Sequence, residues 1–106
     1  MTILKKPRIL YWTTHALTKM HFYQLSENRV KRVINSPHRI EKGIALNTIG
    51  MMQRAGSKKH PYEVWTMIQD EKGRRKVISA WRYPGITKPG EKLPEEILKE
   101  IREAKL

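Results

Sequence analysis

The chain has no cysteine, which excludes disulfide staples and thiolate metal sites. Its histidines, His15, His21, His38 and His60, are scattered with no i, i+4 pair, so there is no zinc signature. No resident metal or cofactor is therefore expected, and any chemistry should be metal-independent or supplied by a partner. No uninterrupted apolar run approaches the roughly 20 residues of a membrane helix. The opening MTILKKPRIL has basic residues behind a short apolar start and no small-residue cleavage site, unlike a signal peptide. A cytoplasmic protein with no membrane partner is expected. Carboxylates are the other scarcity: residues 1–90 carry 18 Lys and Arg against 5 Asp and Glu, whereas residues 91–106 carry 4 against 5. The formal charge of +12 thus belongs to the body of the chain. A basic body points to a polyanionic partner, because neutralising phosphates releases condensed counterions without any sequence readout.

With 106 residues, one domain with a modest core is expected. Residues 1–90 read as its basic α+β body and 91–106 as an amphipathic helix of the same domain. A short basic lead, with Arg8 to Trp12 as an optional edge strand, precedes Thr13, a good N-cap. Trp12 and Leu17 then have the spacing of a hydrophobic staple. The first helix should run from about Thr14 to Tyr23 and bury Ala16, Leu17, Met20 and Tyr23. A second, capped by Ser26 and stapled by Leu25 and Val30, should bury Val30, Val33 and Ile34 and stop at Asn35-Ser36-Pro37. From Pro37 the pattern turns to strands. HRIEKG and LNTIGMMQRAG suggest one hairpin, SKKHP a basic loop with Lys58 and Lys59, and YEVWTMIQDEKGRRKVISAWRYPG a second hairpin turning at Lys72-Gly73. The architecture expected is α+β, with two short N-terminal helices packed on a four-stranded antiparallel meander and a C-terminal helix with an Ile97, Leu98 and Ile101 stripe.

A two-residue turn at Lys72-Gly73 would set Glu63 opposite Arg82, Val64 opposite Trp81, Thr66 opposite Ser79 and Tyr62 opposite Tyr83. Trp65, Met67, Ile78 and Ala80 would then face the helices. The other face would be an aromatic and hydroxyl surface of Tyr62, Thr66, Ser79, Trp81 and Tyr83.

Three motifs carry a resemblance: HALTKM, LSENRVKRVINSP and EVWTMIQDEKGRRKVISAWR. They resemble a group of small uncharacterised domains placed with the RelE-like members of the barnase, EndoU, colicin and RelE ribonuclease superfamily, over roughly residues 9–83. The resemblance implies a metal-independent endoribonuclease, often the toxin of a toxin–antitoxin pair. In such enzymes a ribose 2′-hydroxyl attacks the adjacent phosphate and leaves a 2′,3′-cyclic phosphate. The partners it implies are RNA, free or on the ribosome, and an antitoxin protein. His15 matches the candidate acid/base, and Lys19, one turn along, a phosphate clamp. Lys19 departs from the arginine usual in the group and so loses a bidentate fork. Arg82 and Ser79 match basic and hydroxyl positions of the final strand, although the expected register sends them to opposite faces. Arg54 is a further cation, and Trp81 and Tyr83, beside Tyr62, could stack unpaired bases. No second acid/base emerges for His15, and His21, His38 and His60 receive no role. The alternative is a non-catalytic RNA- or ribosome-binding module using the basic body and the aromatic face.

Overall fold

Thr13 joins the first strand to the first helix and both to the sheet. Its hydroxyl accepts from Ala16 N (3.0 Å), capping the helix, and donates toward the carbonyls of Val77 (3.0 Å) and Ile78 (3.2 Å). The computed structural model describes residues 9–43 and 47–91, with Lys99. The elements run β1 (Ile9–Trp12), α1 (Thr14–Tyr23), α2 (Glu27–Asn35), β2 (Arg39–Lys42), β3 (Thr48–Gly56), β4 (Pro61–Glu71) and β5 (Arg74–Pro84). Both helices start and stop close to where their caps and Pro37 predict. Leu17 departs from expectation, being 44% exposed.

The sheet has five strands in the order β1-β5-β4-β3-β2, and β1 lies parallel to β5. This corrects the expected four-stranded antiparallel meander. The direction of β1 follows from α1. The helix begins at the Val77 and Ile78 carbonyls and ends at Arg82, so β1 and α1 both travel along β5 in its own direction. Leu10 and Trp12 turn toward the helix-side core, while Ile9 and Tyr11 point outward, the period-2 pattern of a half-buried strand. The helix expected at the C-terminus lies outside the described residues, apart from Lys99. Among the described residues no helix is long and apolar enough to cross a membrane.

Near the turn the β4–β5 register is the expected one, from Glu71 opposite Arg74 to Ile68 opposite Val77. Ile78 then stands without a partner as a β-bulge, and every later pair slips by one. Met67 faces Ser79, Thr66 faces Ala80, Trp65 faces Trp81, Val64 faces Arg82 and Glu63 faces Tyr83. The helices also cover the opposite face of β4 from the one expected, the face of Val64 and Ile68 rather than that of Trp65 and Met67. The helices, through Ala16, Met20, Leu25, Val30 and Val33, cover Met51, Val64, Ile68, Val77 and Ala80. Met52, Trp65, Met67, Ile78 and Trp81 form a second core on the far face. That face is therefore no open aromatic surface: Trp65 and Trp81 are 3% and 1% exposed, their rings parallel with centroids 5.8 Å apart.

A buried carboxylate ties the connector after β5 across this face. Glu63, fully buried, accepts from Trp65 Nε1 (2.9 Å), Thr87 N (3.1 Å) and Thr87 Oγ1 (2.7 Å). Arg39 of β2 donates to the Thr87 carbonyl and hydroxyl and lies 2.9 Å from Glu41, which also accepts from Gly90 N. Glu63→Ala leaves three buried donors without an acceptor. It is expected to lower stability by about 2–4 kcal/mol, read as a shift in urea midpoint at unchanged slope. A midpoint equal to the parent's would remove Glu63 as the anchor of the connector.

Candidate nucleic-acid interface

The two ends of the sheet treat their cations differently. At the β4–β5 turn three have a carboxylate, and only Lys72 at its tip has none among the described residues. Arg75 holds Asp70 through two bonds (2.6 and 3.0 Å), Arg74 holds Glu71 (2.9 Å), and Lys76 Nζ lies 3.6 Å from Glu71. Arg74 also covers the Tyr11 ring at 4.9 Å. At the opposite end, Arg29, Arg32, Arg54, Arg82, Lys58 and Lys59 have no carboxylate partner among the described residues.

Each cation at that end is placed by its local fold. Arg29 lies in the first turn of α2, where its backbone N–H donates to the Ser26 cap (3.0 Å). Its guanidinium donates to Gln53 Oε1 (2.8 Å), and Gln53 Nε2 donates to the carbonyls of Arg32 (2.9 Å) and Ser36 (2.8 Å). One β3 side chain thus caps the end of α2 and steadies Arg29. Burial, and then the like charges of Arg32 and Arg82, hold the Arg29 guanidinium below its usual pKa, with Tyr62 opposing. An anion at this place would relieve that repulsion.

Arg82 works in the same way for α1. Gln24 ends that helix in the left-handed region at φ 56°, and the Tyr23 and Gln24 carbonyls accept from Arg82 Nε (2.8 Å) and Nη2 (3.2 Å). The Arg82 guanidinium carbon lies 5.2 Å from the centre of the Tyr62 ring. Tyr62 in turn leans against Gly56, where a Cβ would fall 2.9 Å from its ring and 2.2 Å from the His60 carbonyl, so the φ of +81° there needs glycine. The tip beyond is closed by Ser57 N to His60 O (3.3 Å) and His60 N to Ser57 Oγ (3.1 Å), leaving Lys58 and Lys59 exposed. Arg54 is exposed on β3, its backbone N–H donating to His38 Nδ1 (2.9 Å).

The residues singled out in the sequence fall into three places. Arg82 and Tyr62 come together on the helix side of this end, whereas Arg54, opposite Glu63, turns to the other face and Lys58 and Lys59 stand at the β3–β4 tip. His15 sits in the first turn of α1, half-buried, with Nε2 enclosed and unpartnered. Lys19 follows one turn later, its ammonium 5.0 Å from the Phe22 ring and 5.3 Å from that of Tyr23. The carbonyls that hold Arg82 begin at Tyr23, eight residues beyond His15, or roughly 12 Å along the helix at about 1.5 Å per residue. Ser79 is fully buried, set opposite Met67 of the far face, and its Oγ has no partner. Trp81 is buried beside it, and Tyr83 is half-buried against the same core, so neither offers the open stacking surface expected. Arg29, Arg32 and Gln53 escaped the sequence reading, because nothing local says that the basic face of α2 meets β3. Among the described residues no group of three or more His, Cys, Asp or Glu could hold a metal ion.

Since Arg82 supplies the donors at the end of α1, Arg82→Ala is expected to cost about 1–3 kcal/mol, with Arg82→Lys recovering part of it. Chemical unfolding measures this, and an unchanged Arg82→Ala midpoint would show the guanidinium to be spare. No protein-family model, no curated protein and no solved structure matches the chain, so the ribonuclease resemblance rests on its own motifs.

Proposed function

We propose that the protein binds RNA through the end of the sheet that carries Arg29, Arg32, Arg54, Arg82, Lys58, Lys59 and Tyr62. The observation that supports this most is the unequal pairing of charge: three of the four cations at the β4–β5 turn, all but Lys72, have carboxylates, and those at this end have none among the described residues. Unpaired, clustered cations repel one another and destabilise a fold unless an anion is available. A nucleic-acid backbone is an anion with a matching repeat, and a cytoplasmic setting belongs to the same proposal. Arg82 and Arg29 are already held by backbone and amide acceptors, so little side-chain entropy is lost when phosphate arrives.

Cleavage is the second reading, favoured by one feature. The His15 Nε2 has no hydrogen-bond partner, and Lys19 stands one turn away on the same helix. His15 would take the 2′-hydroxyl proton as that oxygen attacks phosphorus, Lys19 would meet the charge growing on the phosphorane, and the P–O5′ bond would break with the 5′-oxygen taking its proton from water. Arg82 and Ser79, which the resemblance would add, stand elsewhere. An antitoxin partner belongs to this reading alone.

Binding to a labelled single-stranded RNA should weaken steeply with salt. The slope of log K against log salt should fall by about 0.7 for Arg29→Ala and about 1.4 for the Lys58→Ala, Lys59→Ala pair. Arg74→Ala should leave it unchanged. Salt-independent or absent binding would end the RNA-binding proposal. For cleavage, incubation in EDTA should yield cyclic-phosphate ends that drop by roughly 10²-fold or more in His15→Ala. Intact RNA in both samples would eliminate the nuclease.

A further inference from the structure

Phe22 is 71% exposed at the end of α1, beside the cations already described. Isolated exposed hydrophobics are ordinary, but this ring is not isolated. It meets Tyr23 edge-on at 4.8 Å and 85°, and the Lys19 ammonium lies 5.0 Å from its centre. Tyr23 is half-buried and packs against both cores, while its carbonyl is gripped by Arg82, which in turn covers Tyr62. Rings and cations therefore alternate along the order Phe22, Lys19, Tyr23, Arg82, Tyr62. Of the other strongly exposed aliphatics, Ile9 at 73% and Ile40 at 57% sit on edge strands and Ile86 at 65% in the connector after β5.

We infer that Phe22 is a stacking platform for one unpaired base of single-stranded RNA whose phosphates lie on Arg82 and Arg29. This inference rests on the RNA-binding proposal and adds the class of RNA. A protein side chain laid on Phe22 would bury Arg82 nearby and leave its charge to be matched separately. A nucleotide brings an aromatic face and a phosphate in one unit, which fits a ring set among cations. Tyr23 and Lys19 fix the Phe22 ring in advance, so stacking costs little ordering. Bases in a duplex are already stacked and present no free face. Single strands are thus selected, with tolerance of base identity.

The test uses the full chain with a single-stranded oligoribonucleotide carrying 2-aminopurine, and the same oligonucleotide in a duplex. Phe22→Ala and Phe22→Leu should each lose about 5- to 150-fold in single-strand affinity, the equivalent of roughly 1–3 kcal/mol of stacking. Both should lose the quenching of 2-aminopurine and keep the parent's salt slope, since no phosphate contact is removed. Phe22→Trp should keep affinity and quenching. Parent-like single-strand binding by Phe22→Ala, full recovery by Phe22→Leu, or equal parent affinity for the duplex would each overturn the stacking role and leave RNA binding standing. Failure of the parent to bind either RNA would overturn both. Thermal melts of the variants, expected to match the parent because the ring is exposed, separate loss of binding from loss of fold.

Discussion

One unpaired residue in β5 decides which side chains meet which. Side chains alternate along a regular strand, so with Val77 turned to the helices, Arg82 five residues on would turn away from them. The bulge at Ile78 resets that parity, sending Ala80 and Arg82 to the helix side and Trp81 to the other. Arg82 can then hold the carbonyls at the end of α1 and cover Tyr62. The same slip seats Trp81 opposite Trp65 and completes the second core. Helix anchoring, charge clustering and the far-face core share this single backbone irregularity.

The sheet is consequently buried on both faces, which a half-solvated meander would not be. Its far side is bound by Glu63 and Thr87 rather than by apolar contact alone, and these bonds draw the connector back to Arg39 and Glu41 of β2. One of the few carboxylates of the basic body is thus spent inside the fold. Asp70 and Glu71 are engaged at the β4–β5 turn, and Glu41 is engaged by Arg39. The fifth carboxylate, Glu27, is exposed in the first turn of α2, and among the described residues no ion pair joins it to the cations of the other end.

Local chemistry made much of this legible. Thr13 and Ser26 announce the helix starts, Pro37 the stop, and Lys72-Gly73 the turn with its nearest four pairs. The bulge was not legible, because hydroxyl and charge pairs such as Glu63 with Arg82 argue for an unbroken ladder. The packing of Trp65 on Trp81 and the burial of Val64 and Ile68 under the helices outweigh those pairs. Pairing of β1 with β5 joins residues 65 apart in sequence, which no periodicity encodes. Of the candidate site, the cations and Tyr62 could be named but not grouped. Arg29 enters only through Gln53, and His15 and Ser79 separate only once the helix is laid along β5.

The two devices that finish the helices explain why helix closure and positive charge coincide at this end. A helix terminus leaves carbonyls unsatisfied, and both termini here are answered from the sheet, by Arg82 for α1 and by Gln53 for α2. Satisfying α1 with a guanidinium fixes a cation beside Tyr62. Satisfying α2 with an amide leaves its oxygen free to hold Arg29 close by. The fold thereby pre-orients two guanidiniums of like charge, and burial first, then Arg32 and to a lesser degree Arg82, hold Arg29 below its usual pKa. The residual donors of those guanidiniums are the ones an incoming phosphate would meet. The requirement that two short helices be closed is thus enough to assemble, as a by-product of packing, a rigid cationic surface with an aromatic ring at its centre.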